Sequence, residues 1–166
     1  MKRLMYTRPD GGVNIVIPAP KADIEKVLGP LTDAEYEAHV KARSLPKDAT
    51  NVKSISDGDL PDDRTYRNAW VLDNSTDKVD LHLDKVKEIV LTELREKRNR
   101  LLVEADGEYN RAVETEDTKK AAKLKSYKQK LRDVTEDLKA IDPEGAIGDK
   151  TILANIESAT KIPKKP

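Results

Sequence analysis

Few residue types can do acid–base, nucleophilic or metal chemistry, and this chain is sparing with them. It has two histidines, one tryptophan and no cysteine or phenylalanine. Without cysteine there is neither a disulfide framework nor a thiolate metal site. His39 and His82 are far apart in sequence and fall on different predicted elements, so no Ser/His/Asp arrangement or His-x-x-x-His metal spacing can be assembled. "DGDLPDD", residues 57–63, offers four carboxylates. It lacks the alternate ligand register, the sixth-position glycine and the twelfth-position glutamate of a calcium loop, and it reads as a solvated acidic turn. Pro9-Asp10-Gly11-Gly12 is turn chemistry, because no Gly-Lys-Ser/Thr comes after it to cradle a phosphate. No catalytic, cofactor-binding or metal-ligating residue is assigned.

Charge narrows the partners. The chain carries 31 basic and 31 acidic residues, so its long-range field is weak and nucleic acid is disfavoured. "REKRNR", residues 95–100, is interrupted by Glu96, lies in a stretch of balanced charge and has no interleaved aromatics to stack bases. It reads as a solvated helix face. No segment approaches the roughly 20 apolar residues of a membrane span, and the first twenty residues hold no continuous apolar run of the export-signal type. A soluble, unexported protein is the expectation.

There remains "DDRTYRNAWVLDN", residues 62–74, where Tyr66, Arg67 and Trp70 sit together in charged, loop-like surroundings. Tyrosine, tryptophan and arginine dominate interface hot spots. The four-residue spacing puts both rings on one side of either a helical turn or a strand. The pair reads as one unit at the junction between a small N-terminal region and a helical C-terminal one. It is either a packing plug or an exposed anchor for a partner.

The elements that must position these residues can be read from periodicity. Leu4 and Tyr6, then Val13, Ile15 and Ile17, alternate around Pro9–Gly12 as a β-hairpin, ended by Pro18 and Pro20. "KADIEKVLGP" and "LTDAEYEAHVKARSL" predict two short helices, the second with Thr32 and Glu35 as a capping box. "NVKSIS" is a candidate third strand. From Val79 an apolar stripe runs through Val86, Ile89, Val90, Leu94, Leu101, Leu102, Ala105, Tyr109, Ala112 and Val113. After the polar "ETEDT" comes a heptad seam of Leu124, Tyr127, Leu131, Val134 and Leu138. High charge (37%), few aromatics (4%) and a mean hydropathy of −0.72 suit long helices with wide solvated faces. The predicted class is α+β: a small hairpin-and-helix domain over residues 1–75, a long antiparallel, coiled-coil-like helical hairpin over 79–141, and an extended, basic C-terminal segment over 142–166. A two-helix rod leaves its stripe edges open, so self-association or docking is expected.

The run Asp63-Arg64-x-Tyr66-Arg67-x-Ala69-Trp70, with the helical sequence after it, resembles small virion and tail proteins of tailed bacteriophages. The helical half is also similar to the phage tail fibre assembly chaperone family. The matching residues are Arg98, Leu101, Leu102 and Asp106, then Tyr127, Lys128, Gln129, Leu131, Arg132 and Asp133. The chaperones' tryptophan after the aspartate is replaced by Gly107-Glu108-Tyr109, which weighs toward a structural component. The resemblance implies a non-enzymatic protein of the virion, assembled in the host cytoplasm, and the open stripe edges add the expectation of a homo-oligomer. It would act by contact with other phage virion proteins as a tail or tail fibre-associated adaptor, with a tail fibre assembly chaperone as the alternative. From the balanced charge and the lack of an apolar span, no nucleic-acid or membrane partner is expected.

Overall fold

The computed structural model describes residues 3–166. The chain is α+β and divides into two compact units, the first ending at Leu81 and the second beginning at His82.

In the first unit, β1 (Arg3–Thr7), β2 (Val13–Val16) and β3 (Thr50–Ile55) form an antiparallel sheet in the order β2-β1-β3. Met5, fully buried on the central strand, lies opposite Ile15 on one side and Lys53 on the other. The β1–β2 turn closes through Gly11 N–H donating to the Arg8 carbonyl at 2.9 Å, and Gly11 takes φ 75°. A left-handed backbone there is what glycine provides without steric cost. Between β2 and β3 run α1 (Lys21–Leu28) and α2 (Asp33–Ser44). The capping box at the start of α2 forms as expected: Thr32 Oγ1 accepts from Glu35 N–H, and the Glu35 carboxylate accepts from Thr32 N–H at 2.8 Å.

A second hairpin, β4 (Trp70–Asp73) with β5 (Lys78–Leu81), completes this unit; Trp70 pairs with Leu81 and Leu72 with Val79. This corrects the expectation of loop here and of a first domain closing at residue 75. The signal was "WVLD…KVDL" around a turn held by Asp73, whose carboxylate accepts from Ser75 N–H at 2.9 Å and from Thr76 Oγ1 at 2.8 Å. Because β5 needs β4 as its hydrogen-bonding partner, the first unit extends to Leu81.

The second unit is built on α3 (Leu83–Glu114), 32 residues and therefore about 48 Å long at 1.5 Å per residue. The chain reverses through Glu116, at φ 54°, into α4 (Thr118–Asp133), which covers the C-terminal half of α3. The heptad seam does not run straight through. α4 stops at Asp133, a short α5 (Glu136–Ala140) takes over, and the buried position falls on Thr135 while Val134 is only half-buried. Leu124, Tyr127, Leu131 and Leu138 are buried as expected.

The expected extended segment over 142–166 is also corrected. It contains α6 (Lys150–Ser158), capped by Asp149, whose carboxylate accepts from Thr151 and Ile152 N–H at 2.8 and 3.0 Å. α6 packs on α3 and buries Ile156 completely. The second unit therefore has three legs: α3, the return through α4 and α5, and a third through α6 and the tail.

Contacts at both ends fix that return. Near the start of α3, Leu83 N–H donates to the Ala146 carbonyl at 2.9 Å, Asp84 accepts from Gly145 N–H at 2.9 Å, and Lys87 Nζ donates to the Lys139 carbonyl at 3.1 Å and to that of Ile141. A lysine on carbonyls at a helix C-terminus also meets the negative end of the helix dipole. Toward the other end, Lys165 pairs with Glu108.

Thr135 is 1% exposed and its hydroxyl meets no acceptor or donor. Thr135→Val removes that buried polar group at nearly constant shape and should stabilise the protein by about 1 kcal/mol. Leu131→Ala should cost about 2–5 kcal/mol. Urea unfolding monitored by circular dichroism measures both; a Thr135→Val variant weaker than the parent would contradict the packing described.

Candidate functional site

The segment from Ser56 to Trp70 is shaped by short side chains that tie down their own backbone. Asp59 accepts from Ser56 N–H at 2.8 Å and Ser56 Oγ at 2.6 Å, closing a single 3-10 turn, Asp57–Asp59. Asp63 does the same for Thr65 N–H and Oγ1, at 2.8 and 2.6 Å. These hydrogen bonds favour the ionised form; the Ser56 hydroxyl holds Asp59, and the Thr65 hydroxyl holds Asp63, below the ordinary carboxylate value. Asp57 instead pairs with Arg3 at 2.6 Å. Three of the turn's four carboxylates are thus committed to neighbouring Ser and Thr groups or to arginine, and among the described residues no group of three or more His, Asp or Glu side chains is placed to hold a metal ion. Between the aspartates, Leu60 is buried.

A second 3-10 turn, Arg67–Ala69, then delivers the chain into β4. Trp70 is 7% exposed, Ala69 is fully buried, Tyr66 is half-buried and Arg67 is exposed. The three residues singled out from sequence therefore have different environments. A turn-to-strand junction separates Tyr66 from Trp70, so neither the helical nor the strand argument for a shared face applies. Trp70 is a core residue of the first unit, and the exposed-anchor reading of its ring is corrected. Its indole N–H is buried and meets no acceptor among the described residues.

Beside Trp70 lies a cleft of about 250 Å³. Val13, Ile15 and Leu60 give it an apolar wall, and Arg3, Arg64 and Arg67 a cationic one. Arg3 is neutralised by Asp57, whereas Arg64 and Arg67 make no ion pair among the described residues. Residue type and spacing single out Arg67 but not Arg64. The 3-10 turn, which the sequence does not announce, is what puts both on the same cleft.

In the second unit the two halves of the helical motif meet. Ala105, Tyr127 and Leu131 form a buried cluster, with Leu101 and Leu102 packed against it. Lys128 pairs with Asp106 and stands 4.7 Å from the centre of the Tyr109 ring. Ile162 of the tail closes over the same cluster. The seam residues are therefore occupied within the chain, and an open seam edge no longer argues for self-association. The histidines belong to separate units: His39 is half-buried on α2, and His82 caps α3 with Nδ1 3.7 Å from Asp84, beyond hydrogen-bond reach.

Comparison with known protein families, curated protein sequences and solved structures finds no match.

Burial of the sole tryptophan predicts a blue-shifted emission and weak quenching by iodide in the free protein. Strong quenching would place the ring in solvent. The Asp59 turn carries a pH signature. A carboxylate whose folded pKa is depressed contributes stability that is present above its unfolded value near 3.8 and is lost as pH falls through the folded value. Asp59→Ala should therefore be less stable than the parent at pH 7, with the gap narrowing below about pH 3.8 in denaturant titrations.

Proposed function

We propose that the chain is a non-enzymatic structural protein of a tailed-phage virion, a tail or tail fibre-associated adaptor working by protein–protein contact with other virion proteins. The observation that carries this reading is the run Asp63–Trp70. The residues that resemble phage virion and tail proteins are the ones that build the rim of the arginine cleft and anchor it through Trp70. Arginine presented beside apolar surface is a contact chemistry. Two separately cored units give an adaptor two independent surfaces. In this reading the protein is assembled in the host cytoplasm and retained in the particle, in copies related by the particle's symmetry. Since the seam is occupied, copies would meet through other apolar surface, such as the exposed Val103 and Val113 of α3.

One observation favours the alternative, a tail fibre assembly chaperone. Of the residues resembling that family, Leu101, Leu102, Tyr127 and Leu131 pack into one cluster and Lys128 pairs with Asp106, which ties the two halves of the motif together.

Mass spectrometry of purified particles from the encoding phage separates the two. The adaptor should be recovered at a fixed ratio to the tail proteins. Its presence in infected lysate but absence from finished particles would replace the adaptor with the chaperone.

A further inference from the structure

The cleft of the first unit has a composition that selects a ligand. Its volume of about 250 Å³ is below the roughly 300–1,000 Å³ of small-molecule sites, and it suits one or two side chains of a peptide. Val13, Ile15 and Leu60 in its lining suit an apolar side chain. Arg64 and Arg67 line it too, exposed and without a carboxylate partner among the described residues, while Arg3 is already paired with Asp57. Guanidinium groups bind carboxylates through directed, charge-assisted hydrogen bonds. Trp70, Asn14 and Asn68 also line the cleft.

The surroundings exclude a polyanion. Residues 1–81 carry 12 basic and 14 acidic residues, and Asp62 and Asp63 directly precede Arg64. A net acidic unit repels a long phosphate backbone more than it repels a single carboxylate held by two arginines.

We propose that this cleft docks a short acidic–apolar segment of a partner protein. One Leu, Ile or Val side chain lies against Val13, Ile15 and Leu60, and a neighbouring Asp or Glu carboxylate is held by Arg64 and Arg67. The adaptor reading is deepened by this and supplies only the expectation that the partner belongs to the particle; the docking chemistry stands without it.

The test applies the full-length chain to an array of heptapeptides in which carboxylate number and Leu/Ile content vary independently, with a 20-nucleotide oligo(dT) as competitor. Retention should require both a carboxylate and an aliphatic residue and should be unaffected by oligo(dT). The double variant Arg64→Gln, Arg67→Gln should bind roughly tenfold or more weakly, about 1.4 kcal/mol. Arg43→Gln, an exposed arginine of the same unit outside the cleft, should bind as the parent does. A salt titration of the unmodified protein gives a readout independent of the variants' folding: retention should fall several-fold between 50 and 500 mM. The proposal is overturned by retention indifferent to carboxylates, by a double variant that binds like the parent, by salt independence or by displacement with oligo(dT). Loss of peptide binding would leave particle membership standing, and absence from particles would leave peptide binding standing, so the two failures are distinguishable.

Discussion

An apolar face running the length of a 32-residue helix has to be covered, and the helix that folds back on it is half as long. α4, with 16 residues, spans about 24 Å of the roughly 48 Å of α3. That mismatch governs the second unit. It leaves Leu83, Val86, Val90 and Leu94 to be buried by something other than α4, and the chain supplies α5, the loop after it and α6. Isolated helices of five and nine residues have little stability of their own, so α5 and α6 exist because α3 offers them a surface. The clamp at the start of α3, with Leu83 on Ala146, Asp84 on Gly145 and Lys87 on the α5 carbonyls, sets where the return begins.

The same constraint alters the functional argument. A two-helix rod with open edges would need copies of itself or a partner to become stable. A three-legged unit whose seam is closed by Ile156 and Ile162 does not. Surface ion pairs such as Lys165 with Glu108 add little energy but help set the register of the tail. The arginine cleft is surface that folding leaves open: Arg3 is paired with Asp57, while Arg64 and Arg67 make no ion pair among the described residues.

Much of this was legible in the sequence, and the reasons differ by region. The α+β class, the first hairpin, the capping box of α2 and the buried seam at Leu124, Tyr127, Leu131 and Leu138 come from period and local chemistry, which act over a few residues. The break at Val134 and Thr135 was not legible, because a heptad pattern says which positions are apolar and not where a helix stops. The β4–β5 hairpin hid behind Asp73–Asp77, a turn made by side-chain hydrogen bonds instead of glycine. α6 was legible in part: Asp149 ahead of Ile152, Leu153 and Ile156 is a capped amphipathic turn, masked by the glycines and prolines around it. In the cleft, Arg67 and Trp70 stood out by residue type. Arg64 could be joined to them only once the 3-10 turn was known.

The central claim is that residues 142–166 are part of the fold, completing the cover of α3. Hydrogen–deuterium exchange of the free protein tests it most directly. Amides of α6, above all those around the fully buried Ile156, should exchange nearly as slowly as those of the N-terminal half of α3 on which α6 packs. Exchange of the α6 amides at unprotected rates, with α3 still slow, would contradict the account.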